Sequence, residues 1–164
     1  MDRLAPLAAQ IDEIGALLDD CPLDLRAPRV SGWSVGEQVD HMTQVLASGL
    51  GLLETPGEPR PNGINLSGRI LLALRWIPRG VGKSPKGVLP RGASPEDLRE
   101  RLADLRRRLD AISAAPDRLA DPRPTIPHPY FGALNPAQGL RFLAIHTRHH
   151  LKIVRDIRKA SSRP

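Results

Sequence analysis

Three of the chain's five histidines, His41, His146 and His150, have the type and spacing to hold a metal ion. His146 and His150 stand four residues apart in His146-Thr147-Arg148-His149-His150, inside a strongly helical stretch. Four residues is close to one helical turn, so both rings leave one face, roughly 40° apart around the axis. Each buried imidazole has two nitrogens that need partners, and a metal satisfies one of them. His41, on the inward edge of a different helix, supplies a third nitrogen. The competing reading is three core histidines satisfied by protein groups alone. Three neutral imidazoles with one or two waters suit a borderline divalent ion, Zn²⁺ first, with Ni²⁺ or Fe²⁺ as alternatives. Such an ion lowers the pKa of a water or thiol and polarises a carbonyl. A structural zinc would want four protein ligands, and the chain has no thiolate pair.

Other chemistry-bearing residues are more ambiguous. His149 lies about 60° from His146 on the helical wheel, at the flank of the inward face, where it either supports a ligand or meets a substrate. His128, in His128-Pro129-Tyr130-Phe131-Gly132, reads either as a turn residue or as a residue at the lip of a pocket. Gly82-Lys83-Ser84 is not a phosphate-binding loop: Ile77 occupies the position of the required earlier glycine, and Pro85 stands where a helix should begin. Cys21 is the single cysteine, so no internal disulfide forms, and nothing nearby would lower its pKa. Spacing shows neither a glycosidase-like carboxylate pair nor a Ser-His-Asp arrangement.

The elements that must carry these residues are helices. Apolar residues recur at helical spacing over about Leu4 to Asp19 (Leu7, Ile11, Ile14, Leu17, Leu18). A second helix starts at the capping box Ser34-Val35-Gly36-Glu37 and runs to about Leu53, with His41 at the edge of its apolar sector. A shorter helix covers about Asn65 to Trp76 and carries Ile70, Leu71, Leu74 and Ile77. Pro78 to Gly92 is a long irregular basic segment of the kind that is usually functional or mobile. Ser94-Pro95-Glu96-Asp97 opens another helix, to about Ala115, with Leu98, Leu102, Leu105, Leu109 and Ile112 inward. After a proline-rich link, Asn135-Pro136-Ala137-Gln138 starts the last helix, to about Lys159. There Phe142, Leu143, Ile153 and Ile157 share the histidines' face, and Arg141, Arg148, Lys152 and Arg155 take the opposite one. No strand alternation persists. The pattern predicts a single all-α bundle domain over residues 1–164.

Composition narrows the class. Forty per cent hydrophobic residues and 26% charged residues describe a soluble globular chain. No apolar run approaches the roughly 20 residues of a membrane span, and the N-terminus lacks a signal-peptide layout, so a cytoplasmic protein with no membrane partner is expected. The formal charge of +6 would suit an anionic partner, but the arginines are dispersed and the aromatics do not interleave with them. Nucleic acid is therefore not the expected partner.

Four segments, lying along the chain in the family's order, carry a resemblance. Trp33-Ser34-Val35-Gly36-Glu37-Gln38-Val39-Asp40-His41 resembles the Trp-Ser, Glu, His segment that opens helix two of DinB-like proteins. His146-Thr147-Arg148-His149-His150 resembles their last-helix His-x-x-His-His signature. His128-Pro129-Tyr130-Phe131-Gly132 and the basic loop ending in Leu89-Pro90 resemble a DinB-like subfamily of unknown function. The resemblance implies a four-helix bundle with a crossover connection, accompanied here by the short extra helix. It also implies a homodimer and a divalent metal held by His41, His146 and His150. His149, His128 and Trp33 become residues that back the ligands or contact a small-molecule substrate. Characterised relatives are often thiol-dependent transferases or isomerases using mycothiol, bacillithiol or glutathione. The expected activity is a metal-dependent S-transferase or hydrolase, the alternative a non-catalytic binding or stress-response module. Ile153 stands where many relatives carry a glutamine, a departure that favours the alternative.

Overall fold

A computed structural model describes residues 4–80 and 82–162. Met1–Arg3 of the N-terminal stretch, and Val81 within the Pro78–Gly92 segment, lie outside the described residues. Four helices carry the fold: α1 (Ala5–Asp20), α2 (Val35–Glu54), α4 (Pro95–Ser113) and α6 (Pro136–Ser161). Between them lie α3 (Leu66–Leu74), a 3₁₀ turn at Lys86–Val88, the single turn α5 (Asp117–Ala120), and strands β1 (Ile126–His128) and β2 (Gly132–Leu134).

The helix starts follow from local chemistry. Ser34 accepts the Glu37 amide at 3.2 Å while Glu37 takes the Ser34 amide at 2.7 Å. Ser94 with Asp97, and Asn135 with Gln138, repeat this reciprocal cap on α4 and α6. Each cap fixes the phase of its helix, and the phase decides which side chains enter the core.

α2 packs against α6 and α4, and α1 packs against the same two helices. Helices α1 and α2, consecutive in sequence, therefore take opposite corners of a four-helix bundle, and their connection crosses it. The inward leucines and isoleucines expected on α1 and α4 are all buried, in one core with Val39, Met42, Leu46, Leu143, Val154 and Ile157. Gly49 lets α2 and α6 close up: a Cβ there would stand 2.6 Å from the Leu143 side chain.

Two elements differ from the sequence expectation. The proline-rich link forms an antiparallel hairpin, with Ile126 opposite Leu134 and His128 opposite Gly132. Strands of three residues, one with a central proline, are too short to register as alternation. Gly132 takes φ +81° with the Gly63 carbonyl 2.6 Å from where its Cβ would lie, so only glycine fits. The expected helix over Asn65–Trp76 ends at Leu74, because Arg75 turns left-handed at φ 53°. Leu66, Ile70, Leu74 and Trp76 are exposed, whereas Leu72 enters the interior. Apolar spacing on α3 therefore does not mark a wholly buried face.

The arginines of α4 spend their charge on neighbouring acids. Arg99 meets Asp19, Arg106 meets Asp12, Arg101 meets Asp40, and Arg107 and Arg108 meet Asp104. The exposed pairs add little stability. None of the described helices is long and apolar enough to cross a membrane.

Candidate metal centre

The bundle brings His41 of α2 together with His146 and His150 of α6. One ligand-competent atom from each lies within 4.8 Å of the others. His41 Nε2 and His146 Nε2 face each other at 3.4 Å. Two nitrogens each about 2.0–2.1 Å from a tetrahedral zinc stand about 3.3 Å apart, so this pair already has the separation of a shared ion.

Protein groups fix two of the ring orientations. His41 Nδ1 donates to the Val88 carbonyl at 2.6 Å, leaving its Nε2 lone pair free. His150 Nδ1 donates to Gln38 Oε1 at 2.6 Å, and the Gln38 amide nitrogen bonds Ser31 Oγ at 2.9 Å. A neutral histidine whose second nitrogen is so held is tautomerically set to bind metal. His146 Nδ1 is fully buried and has no partner among the described residues, although part of its ring opens on the cavity. A divalent ion on Nε2 would fix the proton of that ring at Nδ1.

Burial keeps the cluster uncharged. It pushes His41 below its ordinary pKa, outweighing the Val88 bond, and takes His150 well below the usual range. Burial, with help from His41, His149 and His128, lowers His146 to about 3. Three neutral imidazoles are what a zinc-type ion requires, so the donor set fits the metal.

Other residues, not singled out in the sequence, position these rings. Asp40 is buried and receives the Arg91 amide at 2.6 Å, the Ala93 amide at 3.4 Å, Gln44 at 2.9 Å and the Arg101 guanidinium at 2.8 Å. Burial would raise its pKa, but the Arg91 and Ala93 amides and the Arg101 guanidinium prevail and hold the carboxyl below its usual range. Asp40 thereby straps residues 91–93 to α2, a few residues beyond the Val88 carbonyl that meets His41. Gln38 and Asp40 flank His41 within the resembling segment, which is the only signal that pointed near them.

Trp33 packs behind the cluster, its ring 5.0 Å from His41 and 6.4 Å from His150. It does not line the cavity. His149 does, with its ring beside the backbone of Ile77, in the segment after α3. Ile153 sits in the core away from the cavity. His128 ends β1 on the cavity wall, stacked on Phe131 at 4.3 Å and edge-on to Phe142 at 4.6 Å.

Above the three histidines opens a cavity of about 310 Å³. Its walls are mostly apolar: Val45 and Leu52 of α2, Phe142 and Leu143 of α6, Ile126 and Phe131 of the hairpin. Gly82 to Pro85 form part of the wall, and the Tyr130 hydroxyl donates to the Lys83 carbonyl at 2.6 Å.

A four-helix bundle with three inward imidazoles on the floor of an apolar cavity defines a helical protein able to hold a metal ion. The chain belongs to the DinB superfamily, whose family model matches residues 6–154. No curated protein and no solved structure matches it.

Proposed function

We propose that this protein is a divalent-metal-dependent enzyme acting on a small molecule, as a thiol-dependent S-transferase or a hydrolase. The carrying observation is the 3.4 Å approach of His41 Nε2 to His146 Nε2, with the tautomers of His41 and His150 set by Val88 and Gln38. His41, His146 and His150 would hold the ion, with zinc first and nickel or iron as alternatives. When bound, such an ion supplies Lewis acidity, lowering the pKa of a thiol or water and polarising a carbonyl. The protein supplies the rest: apolar walls that exclude water, and fixed imidazoles that need no reorganisation. A homodimer is part of this reading, on the family resemblance, and a cytoplasmic location is carried over from the sequence reading.

Native mass spectrometry after zinc loading tests the metal and the dimer. The expected species is a dimer of the 17.9 kDa chain with one ion per chain, and H146A should carry none. Metal-free wild-type protein under these conditions overturns the enzyme. Ile153, in place of the glutamine many relatives carry, favours a second reading: a binding or stress-response module on the same bundle. Thermal shift with zinc together with mycothiol, bacillithiol or glutathione separates the two. A further rise with thiol that appears only in the zinc-loaded protein supports the enzyme, and indifference to both metal and thiol supports the module.

A further inference from the structure

His128 stands apart from the three histidines, yet shares their cavity. The Tyr130 amide donates to its Nδ1 at 3.2 Å. A nitrogen that accepts a hydrogen bond carries no proton, so the proton of the neutral ring sits on Nε2. The ring is neutral at physiological pH, because burial lowers its pKa to about 4. One face is covered by Phe131, and Phe142 packs edge-on against the ring. Its Nδ1 edge is taken by the Tyr130 amide. The ring is nonetheless only half-buried and lines the cavity. No hydrogen-bond partner for Nε2 exists among the described residues.

The result is one N–H donor, locked by aromatic packing and by its own turn, on a mostly apolar wall that also carries Ser48 and Ser84. Other polar groups are less suited to orient a ligand there. The His149 ring lies beside the Ile77 backbone. Lys83 also lines the cavity but is exposed. A fixed donor in an apolar pocket selects ligands by a single complementary acceptor, since leaving the acceptor out strands the donor in a dry site.

We propose that the cavity binds an apolar molecule bearing a carbonyl-type oxygen, which accepts a hydrogen bond from His128 Nε2–H. The proposal deepens the enzyme reading and rests on it for the purpose of binding, with the oxygen held over the three-histidine floor. His128 is then a positioning and specificity residue for a ketone, aldehyde or ester group on a hydrocarbon body.

The test uses metal-free full-length protein and two probes of equal shape. They are 2-heptanone and 2-methyl-1-heptene, which differ only in an oxygen replaced by a methylene group. NMR titration follows the His128 side-chain Nε2–H signal and yields both affinities. The ketone should shift that signal downfield, and the alkene should not. In H128F, which keeps an aromatic ring on Phe131 but has no donor, the ketone-to-alkene affinity ratio should fall about fivefold, the worth of one neutral hydrogen bond. H128Q, which retains a donor, should recover part of that ratio. An unmoved Nε2–H signal in wild-type protein with ketone bound, or an unchanged ratio in H128F, overturns the proposal. Because no ion is present, failure here leaves the metal reading standing, and failure of zinc to bind leaves the His128 result intact.

Discussion

At the scale of single residues, the histidines matter less for their number than for what occupies their second nitrogens. Val88 and Gln38 each accept from one ring and so aim its lone pair at a common point. The Gln38→Leu variant removes the acceptor for His150 Nδ1 without touching a ligand. Zinc affinity, measured by chelator competition, should fall 10- to 100-fold, roughly the usual effect of losing such a support. Unchanged affinity would mean that packing against Trp33 alone orients His150. The three candidate ligands were legible in the chain because helical spacing puts His146 and His150 on one face. Gln38 was not, since a glutamine on a helix has no sequence signature for the ring it will meet 112 residues away.

At the scale of elements, the long helices were readable and the pieces between them were not. Caps at Ser34, Ser94 and Asn135 act within three residues, so local sequence contains the whole interaction. The hairpin depends on Ile126 finding Leu134, and on Gly132 fitting beneath the Gly63 carbonyl, contacts that no periodicity encodes. The Pro78–Gly92 segment read as irregular, yet Asp40 pins its end to α2 through two backbone amides. The Asp40→Asn variant breaks a mostly buried ion pair with Arg101 and weakens that strap. It should lose about 3 kcal/mol in urea unfolding, near the lower end for breaking a buried pair, since Arg101 is partly exposed. Zinc binding should weaken with it, as the Val88 carbonyl loosens from His41. A loss no larger than that of an exposed pair such as Arg99–Asp19 would remove Asp40 from this role.

At the scale of the whole molecule, metal and fold are coupled. The ligands come from α2 and α6, at the interface that α2 shares with its main partner, so an ion bound there holds only in the folded chain. Zinc at a hundredfold excess over its dissociation constant adds about 2.7 kcal/mol of stability. For a chain of this length that raises Tm by about 5–10 °C. Differential scanning calorimetry with and without zinc should show this rise, reversed by EDTA and absent in H146A. A Tm indifferent to zinc would mean that the three rings do not act as one site.

What the sequence determined by itself was the set of inward faces: which residues of each long helix leave water, and that His146, His150 and His41 are among them. These are short-range properties, set by the 3.6-residue period and by caps within one turn. Only the tertiary structure decided that α2 meets α6 in the register that brings two Nε2 atoms to 3.4 Å, and that a hairpin seats His128 in the same cavity. Register between helices and the seating of loops are sums over many weak contacts between residues far apart in the chain, and no local pattern contains them.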